Sequence, residues 1–449
     1  MAQQIIFFII TSIVFFVAGK QFLKIRRNIL LGKDEVINDN PSERWRNVLF
    51  IALGQKKMFT RWIPAVFHLF IYVAFLFTQV ELIEILIDGI FGSHRLFAPF
   101  LGGFYTFLVS TIEVLTFLAF ISTIVFLYRR NIMNIARFKK PEMVGWPSRD
   151  ANLILLFELV LIVGLTCANG ADILLQKINP EHYHSTGNLA VSSWLGPIFF
   201  GGLSEVGLHI VERFGWWLHI LMVFGFALYL PFSKHLHVFL SFPNVWYGKL
   251  TAKGQMQNMP EIMNEVKSMM GIGEPTAADA EIPEFGSKDI MSLSWKNIMD
   301  SYSCTECGRC TSVCPANLTG KKLSPRKVLM DIRDRATEIG TKLDSGDVQY
   351  IKADCRATET VLTKDNFDDG KSLFDYISKE ELHACTTCNA CVEACPVLIN
   401  PLEPILKMRR YEILTLSQGP GDWVPMFTSL ENSGAVWQMP TEREAWIHE

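Results

Sequence analysis

Charged residues are scarce in this chain of 449 residues. Only 19% of the residues are Asp, Glu, Lys or Arg, whereas 49% are hydrophobic and the mean hydropathy is +0.22. Soluble domains contain about 25% charged residues on average. The shortage of charge therefore excludes a wholly soluble protein.

Several motifs of metabolite-converting enzymes are missing as well. The sequence has no GxGxxG dinucleotide fingerprint after a strand, no GxxxxGK[ST] phosphate loop and no nucleophile elbow. Its basic residues form short clusters between apolar runs and do not follow one amphipathic face, which argues against a nucleic-acid partner. We expect a chain that does not itself convert an organic metabolite.

Cysteine is nearly absent from the first 240 residues, and histidine is nearly absent from the rest. Residues 1–240 hold one cysteine and eight histidines, and residues 241–449 hold nine cysteines and two histidines. The first part carries 20 Lys and Arg against 15 Asp and Glu, a net charge of +5, and the second carries 22 against 30, a net charge of −8. The two parts are predicted to have different chemistry.

Five apolar segments of the first part reach the roughly 20 residues that a membrane span needs. They are residues 4–23, 62–90, 104–128, 151–175 and 206–232. The loops at 20–61 and 129–149 carry ten and six Lys or Arg, whereas the loops at 92–103 and 176–205 carry one each. The positive-inside rule predicts a multi-pass protein of the cell (inner) membrane, with its N-terminus outside and its cysteine-rich part in the cytoplasm.

Three histidines of the membrane part have the spacing of haem ligands. His68 lies near the cytoplasmic end of the second span, while His219 and His237 would project from one stripe of the last helix, about 27 Å apart. Neutral imidazole is an axial ligand of haem iron. We predict that His68 and His237 share a haem b; the alternative is that these histidines cap helices or bond across them.

Three segments resemble the nitrate reductase gamma-subunit family, which includes cytochrome b subunits of membrane-bound heterodisulfide reductases. They are Val66–His68, Gly215–His219 and Pro231–Val238. The resemblance implies that His68 pairs with His237 at a cytoplasmic-side haem. Two-haem members carry a further histidine where this chain has Thr78, so His219 lacks its expected partner. A second haem is left open, with four substitute ligands toward the outer side: His94, His182, His184 and His209.

Three carboxylates, Glu81, Glu113 and Glu158, lie inside predicted spans, where charge is costly and usually faces the bundle interior. One interpretation is quinone binding or proton uptake at a quinone site. The other is an interhelical hydrogen bond made by a neutral acid.

The motif CxxCxxCxxxCP occurs twice, and every cysteine recurs 81 positions later. In proteins with two [4Fe–4S] clusters, three closely spaced cysteines hold one cluster and the fourth ligates the other. We therefore predict one cluster on Cys304, Cys307, Cys310 and Cys395, and a second on Cys385, Cys388, Cys391 and Cys314. Zinc sites and disulfides are the competing interpretations.

Helices are predicted to start at Ser324-Pro325 and Asn400-Pro401, each an N-cap residue followed by proline. This arrangement resembles the alpha-helical ferredoxin of heterodisulfide reductase C subunits and fumarate-reductase-type iron–sulfur subunits. The fold class expected is all-α: a five-helix transmembrane bundle and a cytoplasmic dicluster ferredoxin. The predicted boundaries are a membrane domain at 1–240, a linker at 241–300, a ferredoxin domain at 301–415 with an insertion at about 320–380, and a tail at 416–449.

The tail resembles the stretch that joins this ferredoxin module to cysteine-rich catalytic domains, through Leu430–Gly434 and Arg443–Trp446. It implies a cysteine-rich iron–sulfur partner; an ordinary C-terminal tail is the alternative. Cys355, in the insertion, is predicted to be a free thiol.

Together these features predict a quinone-linked oxidoreductase subunit. It would pass electrons between a cytoplasmic redox partner and the membrane quinone pool through two [4Fe–4S] clusters and haem. The partner would be a cysteine-rich iron–sulfur protein or a flavoprotein or dehydrogenase subunit. The alternative is a membrane redox sensor or assembly scaffold that has clusters and no haem.

Overall fold

The computed structural model describes residues 1–256, 258–272, 284–356, 358–437, 441 and 444–447. Parts of the predicted linker and tail, including Arg443, lie outside the described residues. About 68% of the described residues are helical, and they contain no strand, only two isolated bridges. The predicted all-α class is confirmed.

Five long helices form the membrane part, as predicted. They are α1 (Ala2–Ile29), α2 (Trp62–Phe91), α3 (Gly103–Asn131), α4 (Trp146–Ile178) and α5 (Glu205–Tyr229). Each is long and apolar enough to cross a membrane. Most extend several residues beyond the predicted spans because the flanking polar residues continue the helix. We call the end of the bundle near loops 30–61 and 132–145 the basic end.

Two glycines let α4 and α5 approach each other closely. A Cβ atom on Gly215 would lie 2.7 Å from the Gly164 carbonyl oxygen and 2.6 Å from the Ala168 nitrogen. Small residues let membrane helices approach until their backbones touch. This contact fixes the part of α5 that carries His219.

The last helix is interrupted before His237, contrary to the prediction of one continuous helix. α5 ends at Tyr229, two 3₁₀ turns follow, and a separate helix α6 (His237–Trp246) begins at His237 itself. Pro231 lacks an N–H and its ring clashes with the preceding turn, which explains the break. His219 and His237 therefore do not lie on one helical stripe.

Three helices organise the cysteine-rich part: α7 (Trp295–Ser303), α8 (Pro325–Ser345) and α9 (Leu402–Arg410). The Ser324 side chain accepts a hydrogen bond from the Lys327 N–H, and Asn400 Oδ1 accepts from Leu402 and Glu403, so both predicted helix starts are present. Shorter helices are Pro41–Asn47, Ala98–Leu101, Ser192–Phe200, Pro260–Met269, Pro315–Leu318, Lys379–His383, Ala390–Ala394 and Trp423–Ser433.

The cysteine-rich part packs directly on the basic end of the bundle. Ile25 and Ile29 of α1 belong to the same buried cluster as Ile298 of α7 and Ile332 of α8. Asn28 donates a hydrogen bond to the Tyr302 hydroxyl at 3.1 Å. A shared core holds the two parts in one arrangement, so functional groups of both can be placed relative to one another.

Candidate functional site

Four cysteines from both copies of the motif surround one pocket. Cys304, Cys307 and Cys310 come from the loop after α7, and Cys395 comes from the end of the second motif. The Glu306 N–H donates to the Cys304 sulfur at 3.4 Å. The structure thus brings together the four residues predicted to bind the first cluster; we call them the first cysteine group.

The other four predicted ligands form the second cysteine group. Cys314 and Cys385 pack in one hydrophobic cluster. Burial, and then the neighbouring thiols of Cys385, Cys314 and Cys388, raise the pKa of Cys391 to about 12. Cys388 is exposed. The second group therefore reaches the protein surface, whereas Cys304 and Cys395 of the first are buried.

The 81-residue repeat extends from the cysteines to the backbone that presents them. Glu306 and Gly308 of the first loop have positive φ angles of 53° and 70°, and Thr387 and Asn389, 81 positions later, have 56° and 60°. The Thr387 N–H approaches the Cys385 sulfur at 3.5 Å, as Glu306 approaches Cys304. In both copies, residues with a left-handed backbone conformation turn main-chain N–H groups toward the cysteine sulfurs.

The cysteine chemistry fits an iron–sulfur cluster better than the alternatives. All ten cysteines are free of disulfides. Burial raises the pKa of Cys304 and of Cys395 to about 12, so each stays a neutral thiol at neutral pH unless a metal cation lowers its pKa. Each cysteine group takes three residues from one copy of the motif and one from the other, which is the ligand pattern of two-cluster [4Fe–4S] proteins and not the two pairs typical of zinc.

The first cysteine group lies against the basic end of the bundle. Arg309, within its loop, donates to the carbonyl oxygens of Lys57 and Met58 at 3.3–3.4 Å. Arg326 donates to the Arg137 carbonyl oxygen at 2.8 Å. These contacts join the loop and the first turn of α8 to the segments that precede α2 and α4, respectively, and the segment before α2 leads to His68.

His68 and His237 face each other at this same end. Their ring centres are 6.4 Å apart and their planes are inclined by 46°. Nδ1 of His237 lies 3.0 Å from the Lys234 carbonyl oxygen, and Nδ1 of His68 lies 3.2 Å from Gln55 Oε1. Because carbonyl oxygens only accept, each Nδ1 carries the proton and each Nε2 keeps a free lone pair.

This pair fits a bis-histidine metal site. With metal–nitrogen bonds of about 2.0–2.1 Å and about 1 Å from nitrogen to ring centre, two opposed imidazoles have centres about 6 Å apart. The hydrogen bonds to Gln55 and Lys234 match the outer contacts that metal-bound histidines make. A third ring, His235, lies 5.6 Å from that of His237. Sequence reasoning named His68 and His237 as candidate ligands but missed their hydrogen-bond partners, Gln55 and Lys234.

His219 lies in different surroundings. Its Nδ1 donates to the Leu161 carbonyl oxygen at 3.0 Å, which leaves Nε2 with a lone pair. It lines a cavity of about 380 Å³ that extends to Gln4 and Gly92 at the end opposite the basic one. Among the described aromatic contacts, none pairs its ring with another histidine. We call this space the His219 cavity.

Buried carboxylates line the His219 cavity. Glu81 is 4% exposed; its Oε1 lies 3.4 Å from Asn169 Nδ2, while its buried Oε2 has no hydrogen-bond partner. His94 also lines the cavity, and its Nε2 bonds Asp172 at 2.8 Å. The remaining acidic residues of the lining are Glu84, Asp88 and Glu212.

The other sequence candidates lie outside this cavity. Glu113 accepts hydrogen bonds from the Val191 and Ser192 N–H groups at 2.8 and 3.1 Å and from the Ser192 hydroxyl, which favours the structural interpretation for this carboxylate. Glu158 is half-buried on α4. His209 bonds the Tyr183 hydroxyl, and His182 is exposed beside Asn179. His184, also exposed, lies near His94.

Five helices able to cross a membrane, packed against a cysteine-rich helical part, define a membrane-bound iron–sulfur protein. A family model described as a 4Fe-4S dicluster domain matches residues 303–399, which contain both cysteine motifs. The match supports the predicted iron–sulfur clusters. It also agrees with the structure, in which cysteines of both motif copies surround one pocket.

Curated relatives extend the similarity to most of the chain. The chain is 28% identical over 441 residues to "Probable iron-sulfur-binding oxidoreductase FadF" of Bacillus subtilis, covering 94% of this chain and 57% of the relative. It is also 28% identical over 436 residues to "EtfAB:quinone oxidoreductase" of Syntrophomonas wolfei, covering 94% and 56%. It thus spans about half the length of these relatives. Their names support the predicted oxidoreductase subunit.

A third relative matches a shorter region. "Probable membrane-anchored ferredoxin" of Chromohalobacter salexigens is 31% identical over 160 residues, covering 34% of this chain and 22% of the relative. No solved structure matches the chain. The predicted resemblance to nitrate reductase gamma subunits, and with it the haem, stays a prediction.

Proposed function

We propose that this chain is a membrane-bound electron-transfer subunit that connects a cytoplasmic redox partner with the quinone pool. One observation carries the proposal: the first cysteine group and the His68/His237 pair lie at the same end of the bundle, where Arg309 of the cysteine loop contacts the segment that leads to His68. A sensor or scaffold without haem would need no such alignment.

When bound, two [4Fe–4S] clusters and a haem b supply one-electron carriers, and the protein sets their positions and potentials. The two cysteine groups would hold the clusters. His68 and His237 would hold the haem through Nε2, with Gln55 and Lys234 orienting the rings. The proposal contains one haem, because among the described ring contacts none pairs His219 with a second histidine, although the cavity also holds His94, whose buried Nδ1 has no hydrogen-bond partner.

We place the N-terminus outside and the cysteine-rich part in the cytoplasm of the inner membrane. The sixteen Lys and Arg in loops 20–61 and 129–149, against two in the opposite loops, support this orientation. The partner would meet the second cysteine group, because Cys388 is exposed there. A flavoprotein, a dehydrogenase or a cysteine-rich iron–sulfur protein fits this role, and the name of the Syntrophomonas relative favours the electron-transfer flavoprotein.

The quinone would react in the His219 cavity. Its volume lies within the roughly 300–1,000 Å³ of small-molecule sites. His219 Nε2 and Glu81 Oε2 are both hydrogen-bond acceptors without a protein partner, which suits the two hydroxyl groups of a quinol. Trp216 and Phe7 supply apolar lining for the ring.

Difference spectra of the purified protein test the proposal. We expect a b-type alpha band after dithionite reduction, and the same band after addition of a quinol analogue. A protein with iron–sulfur absorption and no b-type band would instead support the sensor or scaffold.

A further inference from the structure

Lys234 connects the predicted haem ligand His237 with the first cysteine group. Its carbonyl oxygen accepts the hydrogen bond from His237 Nδ1 at 3.0 Å. Its ammonium group lies 2.6 Å from Glu306 Oε2 and donates to the Pro147 carbonyl oxygen at 2.7 Å. Glu306 stands between Cys304 and Cys307 in the sequence. One residue thus contacts both parts of the predicted electron path.

Glu306 is fixed on all sides. It is 4% exposed, and its second carboxylate oxygen accepts from Arg333 at 2.8 Å. Its N–H donates to the Cys304 sulfur at 3.4 Å, and its carbonyl oxygen accepts from Arg326 at 3.3 Å. Each of its two carboxylate oxygens thus contacts a cationic side chain, Lys234 at 2.6 Å and Arg333 at 2.8 Å. A doubly paired carboxylate is built into the cysteine loop.

The other end of Lys234 is anchored to the bundle. The backbone N–H of Lys234 donates to Asp150 Oδ2 on α4 at 3.1 Å. Asp150 also accepts from the Tyr229 hydroxyl at the end of α5. The Ser233 side chain accepts from the His235 N–H and caps the turn that contains Lys234. The turn that orients His237 is consequently held between the bundle and the cysteine loop.

We propose that Lys234 and Glu306 are a positioning pair that fixes the position and orientation of the His237 imidazole relative to the first cysteine group. The inference rests on the proposed function, because it needs a haem at His237. Removing one partner weakens a buried network of charges: Glu306 would keep Arg333 as its cation, and the Lys234 ammonium would keep Asp150 at 3.7 Å. The turn would then relax, and the hydrogen bond that orients the imidazole and raises its basicity would change.

The test compares Lys234→Met, Glu306→Gln and Lys234→Arg in the full-length protein with its clusters and haem. Electron paramagnetic resonance of the oxidised low-spin haem reports the ring geometry. We expect shifted g-values for Lys234→Met and Glu306→Gln, and wild-type g-values for Lys234→Arg. In Lys234→Met, the reduction of haem by prereduced clusters should also be about tenfold slower. Lys322→Met, which removes an exposed ion pair with Glu380, is the matched control and should leave both readouts unchanged.

Wild-type g-values and reduction rates in both Lys234→Met and Glu306→Gln would overturn the inference while leaving the proposed function intact. Equal changes in Lys322→Met would also overturn it. A wild-type protein without a haem signal would overturn the proposed function itself.

Discussion

The His68/His237 site and the His219 cavity share one feature and differ in the rest. In both, each Nδ1 donates to a protein oxygen and leaves Nε2 free. The first site has two facing rings 6.4 Å apart beside the first cysteine group, whereas His219 faces a cavity of about 380 Å³ with buried carboxylates. The same imidazole arrangement can thus present a metal ligand or a proton acceptor, depending on what lies opposite.

Replacing His237 should have the largest effect. His237→Ala, or His68→Ala, would remove one of the two residues proposed to hold the haem, and we expect complete loss of the b-type alpha band with both clusters retained. Reduced-minus-oxidised spectra together with cluster electron paramagnetic resonance measure this. His182→Ala, on an exposed histidine outside both sites, is the control. A full haem band in His237→Ala would remove the distinction between the sites.

His219→Ala should leave the haem band at full intensity. The loss of a proton acceptor should slow haem reduction by a quinol analogue by roughly 100-fold. Stopped-flow spectroscopy measures the rate, and pyridine haemochrome analysis measures the haem content. If haem content falls to half, His219 is a ligand of a second haem and the comparison fails.

Glu81→Gln should have a smaller effect at the same cavity. The amide keeps the size of the side chain but weakens a charge-assisted hydrogen bond, and we expect quinol oxidation about tenfold slower. Glu113→Gln is the matched control, because Glu113 is bonded to Val191 and Ser192 outside the cavity. Equal slowing in both variants would show that Glu81 acts through the bundle structure and not through quinol.

The smallest effect is expected on stability. Gly215→Ala places a Cβ atom against the backbone of α4, and we expect destabilisation of about 1–3 kcal/mol from overpacking. Thermal unfolding in detergent measures it. Gly225→Ala on the same helix is the control, since nothing lies within 4 Å of the added Cβ atom. A similar loss of stability in Gly215→Ala and Gly225→Ala would contradict the close contact between α4 and α5 near His219.

Much of the architecture could be predicted from the sequence because the signals are local. The five spans follow from apolar runs, and the cysteine motif fixes which residues lie in each loop. The motif also predicts that the fourth cysteine of each copy joins the other copy's group: Cys395 joins the first cysteine group and Cys314 joins the second. The break before His237 had a local signal too, Pro231, which the assumption of a continuous helix overlooked.

The remaining features depend on contacts between distant segments. Gln55 orients His68 from a buried position with a φ of 51°, and no pattern around it indicates this role. Lys234 and Glu306 are 72 positions apart, and only the packing of the cysteine loop on the bundle brings them together. Glu81, Glu113 and Glu158 have similar sequence surroundings, so the structure was needed to place Glu81 alone among them in the cavity.

The most direct test of the central claim is the haem spectrum of the purified full-length protein after addition of a quinol analogue, with iron and haem quantified. The account predicts one b-type haem and about eight non-haem irons per chain, a quinol-reducible alpha band, and loss of that band in His237→Ala. An iron–sulfur protein without a b-type band would contradict it.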